Sequence, residues 1–212
     1  RVVVRNTGTR RRSLSLFSYL EWSLGNDLDW HREFQKTFIE TVFVEELGAI
    51  LGINRRLPIP PYISTGMTEW PLSAFHAVNR PVISYEGDKE EFLGRYGSLQ
   101  HPRAVREGKL SNTVGRWNDS IASLHVQVML EPDQQDEVIF LLGKHDDHEA
   151  TETLVHQYSR PSEVEAAFGR VREFWRPFLT NLIVETPDPA FNLMTNVWLK
   201  YQAISGRIWA KT

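Results

Sequence analysis

The sequence predicts a mainly β protein: a large antiparallel β-sandwich followed by helices. Three observations predict it. Leu124, Val126, Val128 and Leu130 alternate with Ser123, His125, Gln127 and Met129, the period-two pattern of a strand with one apolar face. Short apolar runs bounded by turn residues recur from Arg1 to about Gly143, a spacing that favours a sandwich over a βαβ sheet. After Gly143 the apolar residues fall three and four apart, the period of an α-helix.

Arg1-Val2-Val3-Val4 reads as mid-strand, and Arg10-Arg11-Arg12 as a turn or strand edge. Ser13 to Trp22 is apolar on both faces, which predicts a central strand covered on both sides. Phe34 to Val44 and Leu47 to Ile53 predict a strand pair joined near Glu45-Glu46. A proline-marked loop runs from about Asn54 to Pro71, a length that is functional or disordered more often than neutral. Phe75 to Val78 and Val82 to Tyr85 are short strands around Pro81, and Gly87 to Leu110 is irregular with two short helical turns. Pro132-Asp133 is a turn. Val138 to Leu142 then returns as the partner of the 124–130 strand.

In the helical part, Glu149 to Tyr158 is a short helix. Ser162-Glu163-Val164-Glu165 is a capping box opening a second helix, whose stripe is Val164, Ala167, Phe168, Val171, Trp175, Phe178 and Leu179. Pro177 is expected to kink or end it. Asp188 as N-cap and Pro189 at the first helical position start a third helix. Phe191, Met194, Trp198, Tyr201 and Ile208 line one of its faces. Trp209-Ala210-Lys211-Thr212 carries no stop signal, so both ends read as cut.

Composition narrows the function. The 212 residues carry a formal net charge of −3, and no basic face attracts nucleic acid. No stretch approaches the ~18 apolar residues of a membrane helix. There is no cysteine, hence no disulfide or thiol nucleophile, as suits a reducing cytoplasm. Seven Trp, six Tyr and eleven Phe suit both a large core and sugar handling.

His145-Asp146-Asp147-His148-Glu149 holds metal-capable residues, but their spacing fits no dense site, and a solvated acidic helix start is the reading adopted. Glu45-Glu46 and Glu90-Glu91 are neighbours in sequence and so cannot straddle a glycosidic bond as paired catalytic carboxylates must. Asp119, after Gly115-Arg116-Trp117-Asn118, admits a sugar contact or, the preferred alternative, an Asx-bonded turn. Asn118-Asp119-Ser120 matches a glycosylation acceptor formally, by chance.

Several segments together resemble the glycoside phosphorylases of glycoside hydrolase family 94. They are Arg5-Asn6 with Ser13 through Trp22; Phe92-Leu93-Gly94-Arg95-Tyr96 with Pro102, Ala104-Val105 and Gly108; Ile121-Ala122 with Phe140 through Gly143; and Glu185-Thr186-Pro187-Asp188 with Asn192, Met194, Asn196, Trp198 and Tyr201-Gln202. The resemblance implies part of an N-terminal β-sandwich over 1–147, a helical linker over 148–187, and from 188 to 212 the first helix of a catalytic (α/α)6 barrel. It implies a cytoplasmic homodimer that reversibly cleaves a β-linked gluco-oligosaccharide or disaccharide, with inversion, to α-glucose 1-phosphate. Inorganic phosphate is the co-substrate, and no cofactor or metal is implied. The catalytic acid and phosphate ligands are expected beyond Thr212, so no catalytic residue falls in this segment. Tyr96, Gly97 and Ser98 are the candidate substrate-binding residues, at the acceptor sugar. Many cellobiose phosphorylases are expected to carry an Arg where Gly97 stands, a departure that leaves longer β-glucans, laminaribiose and aldonic-acid disaccharides open. Two other readings remain: a stand-alone carbohydrate-binding sandwich with a helical tail, and the corresponding part of a cyclic β-glucan synthase.

Overall fold

A computed structural model describes residues 1–24, 36–55, 73–116, 119–145 and 147–208, the side chain of Ile208 excepted. Most of the proline-marked loop, Phe34, Trp117, Asn118 and Asp146 lie outside the described residues. The chain divides into two compact units, Arg1–Pro161 and Ser162–Thr212.

The strands of the first unit are β1 Val2–Arg5, β2 Arg12–Phe17, β3 Leu20–Glu21, β4 Ile39–Val44, β5 Ala49–Asn54, β6 Ser73–Val78, β7 Ser84–Asp88, β8 Ser120–Leu130, β9 Gln135–Val138 and β10 Phe140–Lys144. The pairings between them are antiparallel. One sheet has the order β10-β6-β5-β4, and in the other β8 is flanked by β2 and β3 on one edge and by β7 on the opposite one. Ile39, Ile50 and Val78 from the first sheet meet Leu124, Val126, Val128 and Leu130 from the second in one buried cluster with Trp22.

Both sheets are covered on their outer sides as well. Ala49, Leu51, Phe75 and Ala77 pack with Val155, which lies on helix α3 His148–Tyr158. Ile121 packs with Phe92, Ala104 and Leu110. These come from the segment carrying helices α1 Lys89–Leu93 and α2 Arg103–Glu107, the two short turns expected there. β8 is therefore buried from Ser120 to Val126 and shows Gln127 and Met129 to solvent only further on. At Gly52 a Cβ would lie 2.7 Å from the Trp22 ring, and at Gly143 2.5 Å from the Phe75 ring. The Trp22 indole Nε1 donates to the Ile121 carbonyl at 3.0 Å.

The 39–54 strand pair forms as expected, around a 3-10 turn at Glu45–Leu47. Two expectations are corrected. Ser13 to Trp22 is not a central strand: it is interrupted between β2 and β3, and among the described residues both pieces pair with β8 alone, which is itself the central strand. Val138 to Leu142 does not pair with β8 either. Asn79 takes both backbone groups of Ile139, its own N donating to the Ile139 carbonyl and its Oδ1 accepting from the Ile139 N. That breaks the strand, so β9 pairs with β1 and β10 with β6.

The second unit holds most of helix α4 Pro161–Thr180, helix α5 Pro189–Leu193, a π-helical turn Met194–Trp198 and helix α6 Leu199–Ile208. Helix α4 begins at Pro161, so Ser162 is its second residue rather than its cap, and the helix runs through Pro177 to Thr180. Pro177 removes one N–H donor, and the helix ends within a turn of it, at Thr180. Asp188 caps α5 as expected, accepting from Ala190 N and Phe191 N. Asn192 and Asn196, one turn apart, clamp the extended segment before it. Asn192 bonds both the N–H and the carbonyl of Thr186, and Asn196 those of Val184.

Candidate functional site

The candidate loop grows out of the end of β7. Glu86 is fully buried there and accepts from the backbone N–H groups of Gly87, Asp88 and Ser111, each at 3.1 Å. Burial raises its pKa, and these bonds oppose the rise. Asp88 then caps α1 by accepting from Glu90 N at 2.8 Å. The helix stops after one turn because Gly94 adopts φ 83°, its N–H bonding the Glu90 carbonyl.

The chain then turns tightly: Gly97 N donates to Gly94 O at 2.9 Å and His101 N to Ser98 O at 3.0 Å. A Cβ at residue 97 would sit 1.9 Å from the Leu93 carbonyl oxygen, so the turn has room only for glycine. Arg103 braces the loop from α2, its Nη2 donating to Glu91 O at 2.9 Å and Glu91 Oε2 at 2.5 Å. Tyr96 stands at the tip, 91% exposed, with the Arg95 guanidinium 5.5 Å from its ring centre. Beside it lies a groove of about 460 Å³ that Tyr96, Gly97, Ser98, His101 and Arg106 help to line. The three sequence-predicted site residues thus share one groove.

Under this loop is a group that sequence reading missed. Lys36 Nζ bonds Glu21 at 2.9 Å and Asp119 at 2.6 Å, while Lys89 Nζ bonds the other oxygen of each carboxylate at 2.9 Å. The Tyr19 hydroxyl donates to Glu21 at 2.9 Å. The four charges close a ring of alternating sign. Hydrogen bonds from Lys36 and then Lys89 hold Glu21 down to about 2. Burial opposes ionisation of Lys36, but its bonds to Asp119 and Glu21 raise its pKa on balance. Lys89 is raised by Asp119 first and by Glu21 as well. Burial, then the Glu21 bond, pushes the Tyr19 hydroxyl up. Lys89 is the first residue of α1, so the ring anchors the base of the loop. No sequence signal could have found it, because its members come from four segments that meet only in the fold.

Most of the remaining candidates are spent on structure. Asp119 offers its carboxylate oxygens to lysines, and Arg116 pairs with Glu40 at 3.7 Å. His145 bonds the Thr151 hydroxyl at 2.7 Å, and Asp147 caps α3 by accepting from Ala150 N. Glu90 lies in the first turn of α1, where Glu91 holds Arg103. Ser84 sits beside His125 and Ser18 beside His76, but both histidines are buried. Burial lowers His125, and lowers His76 to about 4.

The family profile for the supersandwich domain of glycosyl hydrolase 94 matches residues 1–161. The chain belongs to this family. It is 31% identical, over all its length, to the cyclic β-(1,2)-glucan synthase NdvB of Rhizobium meliloti, of which it covers 7%. It is 26% identical over 99% of its length to the N,N'-diacetylchitobiose phosphorylase of Vibrio proteolyticus, covering 25% of that protein. Over 96% of its length it is 25% identical to the solabiose phosphorylase of Paenibacillus borealis, again covering 25%. The chain therefore spans a quarter or less of the length of these relatives. The matched span is the first unit of this family 94 chain to its last residue. Asn6, one of the residues that carried the resemblance, bonds the carbonyls of Arg10, Leu130 and Glu131 through Nδ2 and so closes the hairpin end beside β8.

Proposed function

We propose that this chain is the supersandwich part, with adjoining helices, of an inverting glycoside phosphorylase. The whole enzyme reversibly cleaves a β-linked gluco-oligosaccharide or disaccharide with inorganic phosphate to release α-glucose 1-phosphate. Phosphate is already an anionic nucleophile, so a single carboxylic acid that protonates the departing oxygen suffices, with fixed donors holding phosphate in line. That acid and those donors belong to the remainder of a barrel whose first helix is the one from Asp188. Residues 148–187 are the linker, the enzyme acts as a cytoplasmic homodimer, and it needs no cofactor or metal. Among the described residues no helix is long and apolar enough to cross a membrane.

Within this reading Tyr96, Gly97 and Ser98 shape the acceptor subsite. One observation carries that assignment: Tyr96 is held 91% exposed at the tip of a turn that only glycine at 97 allows. An aromatic ring kept in solvent by a built loop offers a sugar both a stacking face and a hydroxyl. The test is kinetic, in the full-length enzyme. Tyr96→Ala should raise KM for the acceptor sugar in the synthetic direction and leave KM for glucose 1-phosphate unchanged, with Tyr96→Phe between the two. Equal changes in both constants, or none, would make the loop structural.

The 31% identity to NdvB favours a second reading, the equivalent part of a cyclic β-glucan synthase. Release of α-glucose 1-phosphate from β-glucans in phosphate buffer supports the phosphorylase; chain transfer without it supports the synthase.

A further inference from the structure

A cleft of about 660 Å³ opens between the Glu45–Leu47 turn, the connection from β6 to β7 and helix α3. None of its lining residues belongs to the 94–98 loop. On one wall the Phe43 and Tyr85 rings stack 3.9 Å apart at 14°, and both rings line the cleft. Ile83 extends the apolar surface and is 52% exposed. Glu45 and Glu46 stand at the rim, exposed, and among the described residues neither carboxylate has a cation within salt-bridge distance.

The donors are also set out. Asn112 takes the left-handed conformation, φ 58°. It is held there by the strand edge of Tyr85: its N donates to the Tyr85 carbonyl and its Oδ1 accepts from the Tyr85 N, each at 2.9 Å. Both bonds leave the Nδ2 donor uncommitted. His156 on α3 lines the cleft and is exposed. Arg80, the cation of the cleft, is already engaged by Asp136 and by the Glu137 carbonyl.

We propose that this cleft is a carbohydrate-binding site for a neutral β-linked gluco-oligosaccharide. β-Glucose presents apolar faces above and below its ring and a rim of equatorial hydroxyls that both donate and accept. Aromatic and aliphatic side chains suit the faces. The Glu45 and Glu46 carboxylates accept from the hydroxyls, while Asn112 and His156 donate to them. Two carboxylates with no cation near them among the described residues, and an Arg80 already paired with Asp136, disfavour a phosphorylated or acidic sugar. The volume lies within the usual range of roughly 300–1,000 Å³ for small-molecule sites, room for a short oligosaccharide. Such a site would hold a glucan chain on the sandwich while its end is processed elsewhere.

Affinity electrophoresis of the full-length protein in gels containing soluble β-1,2-glucan, β-1,3-glucan or mixed-linkage β-glucan tests the proposal. The wild type should be retarded in at least one gel. The Glu45→Gln, Glu46→Gln, His156→Ala triple variant should bind that glucan about tenfold or more weakly, the loss of a few hydrogen bonds to charged and polar partners. Met129→Ala, exposed on β8 and lining neither the cleft nor the loop groove, should be retarded as the wild type is. Asn112→Gly, which keeps the left-handed backbone while removing the amide, gives a second reading should the triple variant not fold, and it too should weaken retention. The proposal is overturned if no gel retards the wild type, if folded cleft variants run as the wild type does, or if Tyr96→Ala alone abolishes retention.

Discussion

In the sandwich, Trp22 is 2% exposed, its ring lies against Gly52 and its Nε1 donates to a carbonyl. In the helical unit, Trp198 is 52% exposed and meets Tyr201 edge-on at 6.5 Å. The contrast extends to their neighbours. Leu124, Val126 and Leu130 are fully buried, whereas Phe168, Phe174, Phe178, Phe191 and Met194 are each about half exposed or more. Both regions were readable from apolar periodicity, but only one completes its burial among the described residues. A stripe in sequence records which face an element buries, not whether the burying partner is at hand.

The largest effect expected is at Trp22. Trp22→Ala should destabilise the chain by about 3–5 kcal/mol, the cost of truncating a packed aromatic, measured by urea unfolding. Trp198→Ala in the same chain should cost less than about 1 kcal/mol, as an exposed site does. The same change should approach the Trp22 value in a longer protein in which that face is covered. Equal losses in the 212-residue chain would break the comparison.

The next concerns His76, 5% exposed in the sandwich. Its Nδ1 faces the Leu141 carbonyl and must donate, so Nε2 accepts from the Ser18 hydroxyl. Burial lowers its pKa from 6.5 to about 4. Between those values the unfolded chain binds the proton that the folded chain does not, so stability falls as pH drops through that window. At 1.36 kcal/mol per pH unit the full loss is about 3 kcal/mol. His76→Gln should flatten unfolding free energy against pH from 6.5 down to 4; an unchanged slope would assign the loss to other groups. Glu21, lowered to about 2, adds a loss of the same sign at still lower pH.

A smaller structural effect than that at Trp22 is expected at the loop. Gly97→Ala puts a Cβ 1.9 Å from a backbone carbonyl oxygen and should cost about 1–3 kcal/mol through forced backbone movement. Tyr96→Ala, at an exposed tip, should cost no more than about 0.5 kcal/mol. Thermal unfolding of the two variants side by side separates the residue that builds the loop from the residue it displays. The same distance means that a substitution to Arg at 97 would test backbone distortion and acceptor contact at once, so Tyr96 is the cleaner probe.

Much of the molecule followed from local pattern. The alternation through Leu124 and Leu130, the helical stripe after Pro161, the Asp188 cap and the glycine-bounded loop at 94–97 are each decided by residues within a few positions of one another. The motif residues that placed the chain in its family are also legible one by one. Which strand pairs with which was decided elsewhere. Ser13 to Trp22 looked central by its apolar faces, yet it lies along one edge of β8, because strand order depends on contacts a hundred residues apart. The ring of Tyr19, Glu21, Lys36, Lys89 and Asp119 and the cleft beside Phe43 and Tyr85 have no signature in sequence for the same reason. Periodicity is a property of neighbours along the chain and survives in the sequence. Charge closure, cavities and the 1.9 Å approach at Gly97 are properties of neighbours in space, and they exist only once the sandwich has closed.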